Sequence, residues 1–357
     1  MTEQSLDSNK TKNRILFVTP YENGFIENDF IILSKKNIIN KNIYDWQIAQ
    51  NTPIYLLRQF VYLLLNINKN DKIIIEFAGY WSLLPSLFGK ILSKPVMVIC
   101  HGTDCASLPS LKYGSFNKRF LKTFCKLTYK LADIICPVSD SLIKTKNTFH
   151  NNEREELQGI LAFIPNLKTP FKVIHNGIDI DYWKSENNDK IPNSFLAVFS
   201  KNQFYLKGGD LILEVAKELP NYTFKIAGTE KPKNLNNIPR NVIFLGKLRK
   251  ERLKEEYKIS EFYFQLSTFE GFGLSLCEAM LNGCIPIGSS SNIIPEIIGE
   301  SGYVLKERKS HKLKIIINKA LDSENKKIMA NKGRQSIMER FSLKNRTKKL
   351  LQIIEIM

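Results

Sequence analysis

With 357 residues, 43% hydrophobic and 24% charged, the chain has the make-up of a soluble globular protein long enough for two cores. Its most apolar stretches, 56–65 and 77–88, are broken by Arg58 and Pro85, so neither supplies the roughly 18 uncharged residues of a spanning helix. The net charge of +17 suits nucleic acid, an anionic membrane or a phosphate-bearing substrate. No zinc-finger spacing, RNA-recognition aromatic signature or heptad run behind a basic segment favours nucleic acid, which is kept as the rival from a different class.

The polar opening, MTEQSLDSNKTKNR, has no apolar signal core, and the six cysteines form no CxxC pair. Both point to free thiols in a reducing, cytoplasmic setting. Short apolar runs at 15–20, 72–77, 96–100, 134–138 and 172–174 read as buried strands separated by helices or long connections. Helix 115–131 follows with Phe116, Phe120 and Phe124 four apart and Lys118, Lys122, Lys126 and Lys130 on another face. No acid falls between Asp104 and Asp133, so this segment can lie on an anionic membrane surface.

The stretch 182–193 is polar, contains Pro192 and reads as a linker. Beyond it the alternation resumes. Strands are expected at 194–199, 223–227, 242–245, 262–267 and 285–288, with helices at 209–219, 249–259 and 274–281. A last helix follows Phe341. Alternation in both halves predicts an α/β protein of two facing Rossmann-like domains, 1–184 and 185–341. The helix of 342–357 returns to the first domain. Ligands then belong in the cleft at the carboxyl ends of the strands.

Two segments there carry the chemistry. In "STFEGFGLSLCE", Glu270 lies on a loop and Glu278 lies inside the helix that Gly273 opens. Glycine admits a ligand close to the backbone, and the free N–H groups of a helix start favour phosphate. Along one helix axis the two acids would be about 12 Å apart, beyond the roughly 5–9.5 Å of a hydrolytic carboxylate pair. They suit acceptance of vicinal hydroxyls better. In "FSKNQFYLKGGD", Lys201 and Lys207 flank a loop that ends at a helix start, where cations can neutralise a leaving diphosphate.

Together these residues resemble glycosyltransferase family 4, whose members are retaining enzymes of GT-B fold. The resemblance extends to His101-Gly102-Thr103-Asp104, to "ADIICPVS" at 132–139 and to Asn176-Gly177-Ile178-Asp179. It implies that Glu278 binds ribose hydroxyls, and that Glu270 with the backbone of Phe272, Gly273 and Leu274 holds sugar hydroxyls and diphosphate. Lys201 and Lys207 would stabilise the leaving group. His101 would stand near the reacting centre, with Asp104 in the same element and Gly24 at the N-domain phosphate contact. Lys201 replaces the usual arginine, and Gly24 stands alone where the family has paired glycines. The Asp179–Asp181 pair is read as part of the Asn-Gly-x-Asp element, so no metal is expected.

The resemblance thus implies sugar transfer from a UDP- or GDP-linked donor to a glycan or lipid-linked acceptor, without a cofactor. The setting expected is bacterial surface polysaccharide synthesis, in the cytoplasm or peripherally at the inner membrane face. A hydrolase or epimerase of the same fold is the rival.

Overall fold

The computed structural model describes residues 12–22, 24–46, 48–150, 156–185, 189–232, 235 and 237–357. The polar opening therefore lies outside the described residues up to Thr11, as do residues 186–188 of the expected linker. The flanks of that linker are ordered into secondary structure, as described below.

The first half alternates β1 (Arg14–Thr19), α1 (Gly24–Ser34), β2 (Ile38–Ile43), α2 (Thr52–Asn66), β3 (Lys72–Glu76), α3 (Tyr80–Ile91), β4 (Val96–Cys100), α4 (Arg119–Leu131) and β5 (Ile134–Pro137). All five strands are parallel, in the order β2-β1-β3-β4-β5. The central strands are unbroken apolar runs because both faces are covered; Ile73 to Ile75 and Val96 to Ile99 are fully buried. From β1 the chain steps one way across the sheet and from β2 the other way. Right-handed crossovers therefore place α1 on one face and α2, α3 and α4 on the opposite face.

A short antiparallel hairpin, β6 (Thr145–Asn147) and β7 (Glu156–Gln158), and two single-turn helices, α5 (Ile160–Phe163) and α6 (Ile180–Trp183), lead out of this domain. The strand expected at 172–174 does not form a ladder. Phe171 makes an isolated bridge to Ile135, and Lys172 and Ile174 donate to the carbonyls of Ile135 and Pro137 at 2.9 and 3.0 Å. The Ile135 N–H donates back to the Pro170 carbonyl at 3.0 Å, but Pro170 at the start and Gly177 soon after keep the segment to this single bridge.

The second half comprises β8 (Ile191–Val198), α7 (Gly209–Glu218), β9 (Thr223–Ala227), β10 (Val242–Gly246), α8 (Lys250–Ile259), β11 (Ser260–Gln265), α9 (Leu274–Leu281), β12 (Ile285–Ser289), α10 (Ile294–Ile298), β13 (Tyr303–Leu305), α11 (Ser310–Leu321) and α12 (Lys326–Arg340). Its parallel sheet runs β10-β9-β8-β11-β12-β13. At its centre the Phe195 ring stacks on Phe224, Phe262 and Phe264 with centroids 5.0, 5.0 and 5.1 Å away.

The chain ends in α13 (Leu343–Ile356), whose Arg346 reaches α1. There its guanidinium pairs with Asp29 through two nitrogens, and both side chains are almost wholly buried. The same guanidinium donates to the carbonyls of Ile174 and His175 at 3.0 Å each.

The two domains meet along a seam at the carboxyl ends of their strands. Ser139 Oγ donates to the Gly271 carbonyl at 2.8 Å, and Asn147 Nδ2 to that of Thr268 at 2.6 Å. At Gly271 a Cβ would lie 1.8 Å from the His101 carbonyl oxygen, so only glycine fits the closest approach of the two backbones.

Candidate active site

On one side of the seam, the loop after β8 presents Lys207 and the loop after β11 presents Glu270. Lys207 Nζ lies 2.5 Å from Glu270 Oε2, with side chains 15% and 12% exposed. The same oxygen accepts from Gln265 Nε2 at 2.5 Å and from Ser267 Oγ at 3.0 Å. The Glu270 N–H donates to Asn292 Oδ1 at 3.1 Å. Every donor recorded among the described residues converges on Oε2, which leaves Oε1 available to a ligand hydroxyl. Gly273, at φ +99°, turns the chain into α9, and no side chain caps that start. Its first N–H groups and the Lys207 ammonium together make a setting suited to an anion.

Glu278 sits further along α9 and takes a hydrogen bond from Tyr257 Oη at 3.2 Å. Burial pushes its carboxyl up to about 8, opposed by the Tyr257 bond and the Lys250 charge. It is therefore largely protonated at neutral pH in the empty protein. A diol that prefers the carboxylate must expel that proton. If Glu278 takes the ribose hydroxyls that the resemblance implies, nucleotide affinity is expected to rise with pH up to about 8, with proton release near pH 7. Calorimetric titration in buffers of different ionisation enthalpy reads both effects, and Glu278→Gln should abolish both.

Across the seam, His101, expected near the reacting centre, sits with its side chain packed inside its own domain. Its imidazole is only 3% exposed and is turned into its own domain. Nε2 lies 2.6 Å from Glu76 Oε2, and the rings of Phe25 and Phe77 lie 4.8 and 4.4 Å away. Burial holds His101 down to about 4 and raises Glu76 well above the usual carboxylate range. What His101 offers the seam is its backbone carbonyl.

Asp104 is likewise a holder of backbone rather than a ligand contact. Its carboxylate, buried to 1%, accepts from the N–H groups of Ala78, His101 and Gly102 and from Tyr129 Oη. Those four donors occupy it from beneath the loop. Gly24 opens α1 with open space around it, one residue from the Phe25 ring that covers His101. The Phe272 side chain is buried against His175 and Phe341, so only its backbone is available. Asp179 accepts from the Tyr182 N–H at 3.0 Å and caps α6.

Lys201 is exposed and lines an interdomain cleft of about 840 Å³. Lys112, Tyr113 and His150 of the first domain and Tyr205 and Arg308 of the second share its walls. Thus the structure brings Lys207, Glu270 and the α9 start together, sets Glu278 further along that helix, and keeps the Asp104 and His101 side chains inside the first domain. Gln265, Asn292 and Glu76 escaped the sequence reading. A buried glutamine at the end of the apolar run "FYFQLS" is the one local signal that could have marked the first of them.

Residues 182–336 match the family described as "Glycosyl transferases group 1". The match covers the second half of the chain and says what that half is similar to. A curated relative, N-acetyl-alpha-D-glucosaminyl L-malate synthase of Bacillus anthracis, is 28% identical over a stretch that covers 69% of this chain. The chain spans 64% of that relative's length. Among solved structures, sucrose-phosphate synthase from Thermosynechococcus elongatus superposes with a TM-score of 0.72 at 12% identity, over 96% of this chain and 98% of that one. HepE of Anabaena in complex with UDP gives 0.69 at 15% identity, over 96% and 100%. At such identities the likeness establishes the fold alone, two Rossmann-like domains of GT-B type.

Proposed function

We propose that the protein is a retaining glycosyltransferase that moves a sugar from a UDP- or GDP-linked donor to a hydroxyl of a glycan or lipid-linked acceptor. The observation that carries this reading is the Lys207–Glu270 pair set beside the uncapped start of α9. A cation, a hydroxyl acceptor and free N–H groups there address three parts of one molecule: leaving phosphate, sugar and diphosphate. The relatives support it: one is named for transfer chemistry on N-acetylglucosamine, and another was solved with UDP.

In this scheme the bond from the anomeric carbon to the phosphate oxygen breaks with both electrons going to that oxygen. Lys201, Lys207 and the α9 N–H groups stabilise the charge so formed. The acceptor oxygen bonds to the same face of the anomeric carbon. Its proton passes to the departing phosphate oxygen, so atoms and charge balance without a protein nucleophile. The lysines supply the positive charge that a metal would otherwise bring, and activity should survive chelation. Glu278 holds the ribose. His101 contributes to the sugar's surroundings through the backbone that Asp104 fixes.

The acceptor reading places the enzyme in surface polysaccharide synthesis at the inner face of the cell membrane. The test is ¹H NMR of the product's anomeric signal, with release of free sugar followed in parallel. Retained configuration supports the reading, and inversion overturns it. Free sugar or an epimerised donor as the main product would favour the hydrolase or epimerase of the same fold.

A further inference from the structure

Helix α2 is built inside out. Facing the domain it buries Gln59 and Leu63. Gln59 is wholly buried and hydrogen-bonded to Asn42 Oδ1 at 2.8 Å and to the Trp81 carbonyl at 2.9 Å. Its solvent side carries Ile54, Leu57, Val61 and Leu64, spaced as one helical stripe, flanked by Phe60 and Leu65. Leu57 is 65% and Leu65 69% exposed. A helix selected only for packing on its own sheet would place these residues the other way round.

The apolar surface continues across the neighbouring helices. Phe60 meets Phe88 of α3 edge to face at 5.7 Å, and Leu87 and Ile91 of α3 are exposed beside it. Tyr80 of α3 meets Phe124 of α4 at 4.9 Å, and there Phe120 is 72% and Leu127 42% exposed. The helix expected at 115–131 starts only at Arg119, so Phe116 is buried outside it, while Phe120 faces solvent. The inward face of α4 is instead Leu121, Cys125, Thr128 and Tyr129.

Charge on this face has one sign. Between Trp46 and Ala132 the only acids are Asp71, Glu76 and Asp104, and the last two are buried. Arg58, Lys90, Arg119, Lys122 and Lys130 are exposed around the apolar residues. A second copy docked by a two-fold axis would set these cations against their own equivalents with no acid between them. An apolar surface three helices wide with a cationic border matches the boundary between headgroups and acyl chains of an anionic bilayer. No helix among the described residues is long and apolar enough to cross a membrane.

We propose that the outer face of α2, α3 and α4 seats the protein on an anionic lipid bilayer, with Leu57, Leu64, Leu65, Ile91 and Phe120 entering the interface. This deepens the membrane station proposed above by naming its surface. The three helices run alongside the sheet with their N-termini at the cleft end. Seating on this face therefore lays their axes in the membrane plane and keeps the cleft mouth at the lipid surface, beside a lipid-linked acceptor.

The test is co-sedimentation of the full chain with vesicles of phosphatidylglycerol and phosphatidylethanolamine, and with vesicles of phosphatidylcholine alone. No donor is added, so the outcome is independent of the transfer reading. The wild type is expected to sediment with the first and much less with the second. The double variant Leu57→Glu/Leu65→Glu should lose at least about tenfold in partitioning, because charge replaces inserting side chains. Its melting temperature and nucleotide binding should be unchanged, because both residues are exposed. The proposal is overturned if the wild type ignores anionic vesicles, if the folded double variant binds as the wild type does, or if the variant converts a wild-type dimer to monomer.

Discussion

Lys207→Met is expected to lower kcat by about 10²–10³ while leaving the fold intact. The ammonium lies 2.5 Å from Glu270 Oε2, and methionine keeps most of the side chain's volume. Glu270 still has Gln265 and Ser267 as donors, so its carboxylate is not stranded when the lysine goes. In the proposed reaction, what disappears is the positive charge that faces the leaving phosphate, which matters most once the sugar–phosphate bond is breaking. The loss should therefore fall on kcat and on kcat/KM alike. Steady-state kinetics, with a melting curve as control, checks it. A rise in KM at unchanged kcat would make Lys207 a binding group only.

The second large effect concerns stability. Arg346→Ala is expected to cost about 3–5 kcal/mol, because it leaves the Asp29 carboxylate buried without its partner. That is a large share of the roughly 5–15 kcal/mol by which domains are held folded. It also strips the Ile174 and His175 carbonyls of their donor, loosening α13 from the chain it clasps. Replacing both charges with apolar residues, Asp29→Leu with Arg346→Met, should cost less than Arg346→Ala alone, since no unpaired charge remains. Urea unfolding of the three variants measures this. Near-equal stability of Arg346→Ala and wild type would mean that α13 does not brace the molecule.

What the sequence disclosed and what it hid follow one physical line. Strands β1, β3, β4 and β5 were legible because burial on both faces makes each a continuous apolar run bounded by turn residues. Edge strand β2, "IINKNI", was missed because only Asn42 is buried and its pattern neither alternates nor stays apolar. β13 has three residues, too few for any pattern. At the site, Lys207, Glu270 and Glu278 were visible because glycine, charge and spacing cluster locally. The Glu76–His101 pair and the Asn292 contact to Glu270 are made by the folded chain and leave little trace in any short window. Asp29 and Arg346, 317 positions apart, leave none. The outward apolar face of α2 was not legible either, because the apolar stretch 56–65 does not say on which side the protein lies.

The account rests on a donor site built around the start of α9. Its most direct test is a thermal-shift panel of UDP, GDP and ADP with their common sugar conjugates, run in EDTA on wild type and Glu278→Ala. Selective stabilisation by one nucleotide, kept in EDTA and lost in the variant, is the predicted result and would name the base. No shift with any nucleotide, or an equal shift in both proteins, would contradict the donor site as described.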